Sequence, residues 1–424
     1  MSARLSPRAS VVTYLTGFFL TNIGVGGFTL ATGLAFYQQT GSASTFGFLV
    51  AVEYALGFVG QMVGGSILDR RSVLGVALTS NAVRGTAVLA GGALLWAGGG
   101  RLPLVAVFLV SAFIRPLYRS ASFVLGRMVS PPEELARVNA LRFGLLQAAQ
   151  LCGLGVVAGL YAVLPPGAVV CATGALLLAG TATLVLLRGT VGGGPERGTD
   201  EAPAAVSFSE NWRQLGRVLA DNPGLRVHLV LGGMPPVVTS LATVLVAPVN
   251  DAVHGGSFGI AVLDGSASAG ALLTILAVRR LDQRRSALVG VACALALCGL
   301  VALAVGRSLV VAGFAFLLLG IAAALGATSL DTLLQTRASV AILGRLSITQ
   351  ECATSVTAIA LIPLSGPLLQ DIGLHGAALL YGGVIACYLV AFALATATLR
   401  DRLFGQGVDP RPTISQGVGP RPTT

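Results

Sequence analysis

The chain contains no lysine at all, only three histidines among 424 residues, and charged residues at just 10%. Each shortage excludes something. The six cysteines, Cys152, Cys171, Cys293, Cys298, Cys352 and Cys387, fall singly in apolar stretches. Without a CxxC pair or a Cys/His cluster, their spacing fits neither a metal site nor a redox centre, and they are read as small packing residues. No HExxH, GxSxG or clustered His/Asp constellation occurs, so no enzyme is expected, and no P-loop is present to couple the chain to ATP. No cofactor and no metal are expected. The scarcity of charge excludes an ordinary soluble domain, in which about a quarter of residues are charged.

What the chain has is apolar length. Hydrophobic residues make up 54%, glycine occurs 56 times, and mean hydropathy is +0.83. Stretches long enough to cross a bilayer, about 20 residues each, recur twelve times: 11–37, 43–68, 73–97, 102–127, 137–163, 166–187, 225–249, 256–278, 286–305, 308–333, 345–370 and 375–399. Backbone polar groups in lipid must be satisfied within each segment, and no segment shows the ten-residue alternation of a barrel strand, so the spans are helices. The first follows Arg4 and Arg8 but is too long for the apolar core of a signal peptide, and is read as retained.

All 27 basic residues are arginine, against 17 acids, for a net charge of +10. In a soluble protein that balance would point to nucleic acid; here position decides otherwise. With the N-terminus in the cytoplasm, 21 of the 27 arginines fall on the cytoplasmic side, Arg101 and Arg307 outside, and Arg84, Arg115, Arg119 and Arg142 within spans. This positive-inside asymmetry predicts a multi-pass protein of the cell membrane with both termini cytoplasmic, partnered by the lipid bilayer and not by nucleic acid.

The charge between spans repeats. Leu68-Asp69-Arg70-Arg71-Ser72 follows the second span, and Leu281-Asp282-Gln283-Arg284-Arg285-Ser286 follows the eighth. Two copies of a six-helix unit are the simplest reading. The expected organisation is an N-terminal bundle over 1–187, a cytoplasmic linker over 188–224, a C-terminal bundle over 225–401 and a disordered cytoplasmic tail over 402–424. The linker holds VGGGPERGTDEAPAA and then a stretch in which Trp212, Leu215, Val218 and Leu219 share one helical face, suited either to the membrane surface or to solvent. The tail repeats QGVDPRPT as QGVGPRPT, too rich in Pro and Gly to build a core.

Gly65-Ser66-Ile67-Leu68-Asp69-Arg70-Arg71 resembles the GxxxDRxGRR signature between the second and third helices of the major facilitator superfamily, with its final part reduced to Arg71-Ser72. Asn22-Ile23-Gly24, TGSAS at 40–44, PPEELARVNALR at 131–142, Gly344-Arg345 and SGPLLQDIGL at 365–374 look like that superfamily's bacterial drug and siderophore exporters. The segment at 152–159 departs from the antiporter pattern GPxxGG by lacking its proline. The resemblance implies an all-α membrane protein of twelve transmembrane helices in two pseudo-symmetric six-helix bundles. It implies a monomeric secondary transporter that works by alternating access. The expected activity is proton-coupled export of a small hydrophobic or amphipathic molecule, a drug, natural product or siderophore, with proton-coupled import as the alternative. In the resembling family the loop after the second helix latches the halves together. Gly65, Asp69, Arg70, Arg71, Asp282, Arg284 and Arg345 are the latch candidates, with Arg345 as partner for Asp69, and Arg127 or Arg137 for Asp282.

Charges inside spans cost at least about 2.5–3.5 kcal/mol each, which makes them functional candidates. Four arginines, Arg84, Arg115, Arg119 and Arg142, face four acids, Glu53, Asp264, Asp331 and Glu351. Glu53 lies 16 residues before Asp69, and Asp264 lies 18 before Asp282, which places both near mid-membrane at 1.5 Å per residue. Glu53, on a stripe with Gly57, Gln61 and Gly64, is the first proton-coupling candidate and Asp264 the second; a static pair of Glu53 with Arg84 is the rival reading. Superfamily helices 1, 4, 7 and 10 line the central path, which makes Asn22, Arg115, Arg119 and Asp331 cavity candidates; Gln61, on the polar stripe of the second span, and Glu351, matched with Arg142 across the repeat, join them. Arg115 and Arg119, one turn apart, suit an anionic substrate or Asp331. Gly26, Gly27 and Gly33 are expected to let the first span bend.

Overall fold

In the computed structural model, residues 5–40, 52, 55–61, 71–100, 102–191, 213, 216–217, 220–254, 256–278, 285–338 and 340–404 are described. Among these residues the secondary structure is helical throughout, apart from turns. Helix α1 spans Pro7–Thr40, a helical piece α2 covers 55–61, and α3 (Val73–Trp96), α4 (Leu102–Val129), α5 (Leu135–Tyr161) and α6 (Pro166–Val185) complete the first half. The second half begins with a short helix, Pro223–Leu231. It continues as α7 (Met234–Ala252), α8 (Gly256–Val278), α9 (Arg285–Val305), α10 (Leu309–Arg337) and α11 (Val340–Phe404). A straight α11 would run to roughly 100 Å, three times a bilayer's apolar thickness. Gly373, at φ +66°, gives it a turn, and its two legs are the last two spans.

Local chemistry sets several of these boundaries. The Ser72 hydroxyl caps α3 by accepting from the Gly75 N–H at 3.1 Å, and Ser308 caps α10 through the Val311 N–H at 3.3 Å. Pro166 opens α6 and Pro223 opens the short helix, where a missing N–H costs nothing. Gly98 and Gly100, both at positive φ, turn the chain between α3 and α4.

Nine described helices are long and apolar enough to cross a membrane. The pieces at 55–61, Val262–Ile275 and the first leg of α11 occupy the other three expected places. The two halves are built alike: α3 packs on α4 and α6, and α9 packs on α10 and the second leg of α11. Buried side chains show where the ends lie. One cluster joins Val11, Leu74, Leu125, Val129, Val138, Leu184 and Leu187 at the end of the bundle where the chain starts. Another joins Val25, Phe28, Val88, Leu104, Val107, Val157 and Val169 at the opposite end. The second half has its own large core around Met234, Leu241, Leu263, Ala292, Phe316 and Tyr381, into which α5 inserts Ala136 and Ala140.

Glycine lets helices touch backbone to backbone. A Cβ on Gly153 of α5 would run into the Ile23 carbonyl oxygen, and one on Gly26 would fall 2.8 Å from the Gln150 Cα. The expected hinge glycines of the first span thus include residues that fix α1 tightly on α5. The reason is packing, since small residues at a lipid-embedded interface allow close approach.

Candidate functional site

Between the halves lies a cavity of about 310 Å³. Among the described residues it is lined from α1 (Asn22), α2 (Gln61), α4 (Arg115, Tyr118, Arg119), α5 (Arg142, Gln147), α7 (Thr239), α10 (Asp331) and α11 (Gln350, Glu351, Ser355). Lipid-spanning helices present polar side chains inward because exposure to hydrocarbon is costly, and here they converge on one volume.

Two ion pairs cross it. Arg119 Nη2 of α4 lies 3.1 Å from Glu351 Oε1 of α11, and Arg142 Nη1 of α5 lies 3.6 Å from Asp331 Oδ2 of α10. Both join the N-terminal half to the C-terminal half. The expectation that Arg115 or Arg119 holds Asp331 is therefore replaced by a different pairing, because α5 packs on α10 and α4 on α11. The two pairs differ in setting. Arg142 lies between the rings of Phe18 and Phe123, 5.8 and 5.2 Å from their centroids, an arrangement favourable for a cation. Its partner Asp331 also accepts a long hydrogen bond from Gln350 Nε2, at 3.4 Å. The Arg119 side chain is 45% exposed and that of Glu351 is 18% exposed.

Arg84 is 1% exposed and lines the cavity, and its Nε donates to Ser111 Oγ at 3.1 Å, which anchors α3 to α4 at the cavity wall. Asn22 donates to the Phe18 carbonyl one turn earlier at 2.7 Å. Gln61 Nε2 donates to Ser355 Oγ at 2.9 Å, a buried contact between α2 and α11 across the halves.

Among the described residues at the end of the bundle where the chain starts, the seam is closed by amides, hydroxyls and backbone carbonyls, with Arg127 as a charged donor. Asn139 Nδ2 of α5 donates to Thr332 Oγ1 at 3.0 Å and to Gln335 Oε1 at 2.6 Å. Gln335 Nε2 in turn donates to the Phe123 carbonyl of α4 at 3.0 Å. Arg127 donates to the Ala338 carbonyl just beyond α10. Phe123, Val124, Leu334, Ala338, Leu343 and Leu346 pack around these bonds. Sequence reading singled out neither Asn139 nor Gln335 for this role. The available signal was an amide in an apolar helix, with Gln335 one turn after Asp331 on the same face.

Six residues chosen from sequence as cavity candidates, Asn22, Gln61, Arg115, Arg119, Asp331 and Glu351, all line the cavity. Asp264 is exposed on α8 and is not among the described lining residues. Arg71 is exposed just ahead of α3. Glu53, Gly65, Asp69, Arg70, Asp282 and Arg284 lie outside the described residues, as do Trp212 and the repeated tail; Arg345 falls within α11, with only its backbone described. Among the described residues no group of three His, Cys, Asp or Glu side chains could hold a metal.

Residues 14–350 match the family model of the Major Facilitator Superfamily. None of the curated proteins matches the sequence. The fold is similar to that of a bacterial homologue of the iron transporter ferroportin in its outward-facing state, with a TM-score of 0.73 at 17% identity over 92% of this chain and 99% of that one. It is also similar to the human organic anion transporter MFSD10, with a TM-score of 0.67 at 15% identity over 92% and 100% of the two chains. The transporter FucP in its outward conformation gives 0.68 at 12% identity over 92% and 98%. These structures share the fold, and the family match spans most of the chain: it belongs to the Major Facilitator Superfamily, as a multi-pass membrane transporter.

Proposed function

We propose that this transporter couples protons to the export of a small amphipathic molecule, carried through the central cavity by alternating access. The observation that carries the coupling is that both described acids of the cavity are paired with arginines of the opposite half. Any rocking that opens the bonded end of the seam pulls α4 and α5 away from α10 and α11. Asp331 and Glu351 then lose their counter-charges in a poorly solvated place, and binding a proton removes that cost. These two acids thus join Glu53 as coupling groups. The bonded end, next to the chain's start, is read as cytoplasmic, so the conformation described here is read as outward-facing. The amphipathic substrate fits a lining that mixes charged groups with Phe123, Phe143 and Leu146. The outward direction follows the likeness to exporter sequences.

A second reading, import with protons, is favoured by one feature. Protonating either acid frees an arginine, so proton and anion binding would assist one another, as symport requires. Transport into inverted vesicles separates the two. Amphipathic dyes and antibiotics are expected to accumulate when the vesicle lumen is acidic, and a protonophore should abolish this. Accumulation only in right-side-out vesicles with an acidic exterior would establish import instead, and accumulation indifferent to the gradient would remove proton coupling.

A further inference from the structure

We propose that the transported molecule carries a carboxylate-like anionic group, and that Arg119 binds this group by exchanging Glu351 for it. The inference rests on the reading that the central cavity is the transport site, and not on the direction of transport.

The two ion pairs of the cavity are built for different purposes. Arg142 has Asp331 at 3.6 Å and is flanked by the faces of Phe18 and Phe123, while Asp331 also accepts from Gln350. Its side chain is only 20% exposed. Arg119 has more than twice that exposure, and its described contact with Glu351 is a single one, Nη2 to Oε1. A guanidinium presents five N–H donors in a planar fork that matches both oxygens of a carboxylate. One oxygen of a tethered glutamate uses a small part of that capacity. Glu351 is therefore an internal competitor that keeps the charge compensated while the cavity is empty. An incoming anion offering two oxygens can take its place.

The surroundings favour the same ligand class. Arg115 lies one turn before Arg119 on α4 and lines the same cavity. Among the described lining residues four arginines, Arg84, Arg115, Arg119 and Arg142, stand with two carboxylates, Asp331 and Glu351, and arginine-rich lining in a low-dielectric cleft concentrates anions. Phe143 and Leu146 provide apolar surface for the remainder of the molecule.

Three probes of one shape test this on the full-length protein in detergent: 1-naphthoate, its neutral amide, and 1-naphthylmethylammonium. Binding is read by thermal shift and calorimetry. Naphthoate is expected to bind in clear preference to the other two. Arg119→Gln should weaken it at least tenfold. Arg119→Lys, which keeps the charge and loses the fork, should weaken it several-fold. Glu351→Gln, which removes the competitor, should tighten it several-fold. Both Arg119→Gln and Glu351→Gln break the same ion pair, so a merely structural pair would change stability alike in both and would not send affinity in opposite directions. Equal binding of the amide or the ammonium, naphthoate affinity moving the same way in both variants, or no naphthoate binding by the wild type would each overturn the assignment. The vesicle measurement decides separately whether the chain transports at all, so failure of one reading is distinguishable from failure of the other.

Discussion

Among the described residues the seam between the two halves is held at the end where the chain starts by neutral hydrogen bonds and one bond from Arg127 to a carbonyl, and in its middle by ion pairs. Asn139, Thr332, Gln335 and the Phe123 carbonyl exchange amide and hydroxyl bonds that each contribute about 0.5–1.5 kcal/mol net. Such groups separate at modest cost once water can replace their partners. The cavity pairs, Arg142 with Asp331 and Arg119 with Glu351, do not separate so easily, because each carboxylate left behind needs a new partner or a proton. The difference teaches a division of labour within one interface. Neutral bonds set how often the closed end opens, and charged pairs set what must move when it does.

The strongest test of that division is Asp331→Asn. It leaves Arg142 without its described counter-charge in a setting only 20% exposed. A fully buried pair broken on one side costs about 3–5 kcal/mol, and partial exposure reduces that figure. Gradient-driven accumulation is expected to fall at least a hundredfold. The double variant Asp331→Asn with Arg142→Gln should regain expression and melting temperature yet stay uncoupled in the vesicle assay. Recovery of driven transport in the double variant would show that the pair is structural only.

Next in size is Gln335→Leu, which deletes two of the neutral bonds and leaves Asn139 with its bond to Thr332. A loss of about 1.4 kcal/mol shifts the conformational balance roughly tenfold toward opening of that end. Distances between spin labels near the ends of α4 and α10 should lengthen in a larger fraction of molecules. The electrical coupling should remain, because no charge has changed. An unaltered distance distribution would assign closure to the apolar cluster around Leu343 and Leu346 instead.

These two tests also mark what sequence could and could not reveal. Span positions followed from apolar length alone: α3 was expected over 73–97 and runs Val73–Trp96, and α6 was expected over 166–187 and runs Pro166–Val185. Hydrocarbon enforces those limits directly, so they are written in composition. The intramembrane charges were equally legible, since each costs enough to stand out. Their pairing was not. Whether Asp331 meets Arg119 or Arg142 depends on which helices cross the seam and at what height, and side chains some two hundred positions apart carry no mark of that in one sequence. The neutral clasp was harder still: Asn139 and Gln335 look like ordinary amides until the fold brings α5 against α10.

A smaller effect is expected at the loop after the second span. Asp69→Asn should leave expression intact and lower transport about threefold, measured as initial rate, if the loop shares the closure of this end with the Asn139 and Gln335 bonds. Combined with Gln335→Leu it should add to the shift in spin-label distances. An unchanged rate in both backgrounds would retire the loop as a latch and leave the described bonds to account for closure.

Asp264 gives the smallest expected effect and the finest test of the charge rule. On α8, Leu272 and Ile275 meet the Gly144 position of α5. At 100° per residue Asp264 lies on the same side about two turns further toward the opposite end. Asp264 is exposed on α8 and is not among the described lining residues of the cavity, so replacing it leaves both cavity pairs in place. Asp264→Asn should therefore change gradient-driven transport less than twofold. A loss comparable to that of Asp331→Asn would mean that an acid away from the cavity carries the proton, and that the paired acids of the cavity serve substrate alone.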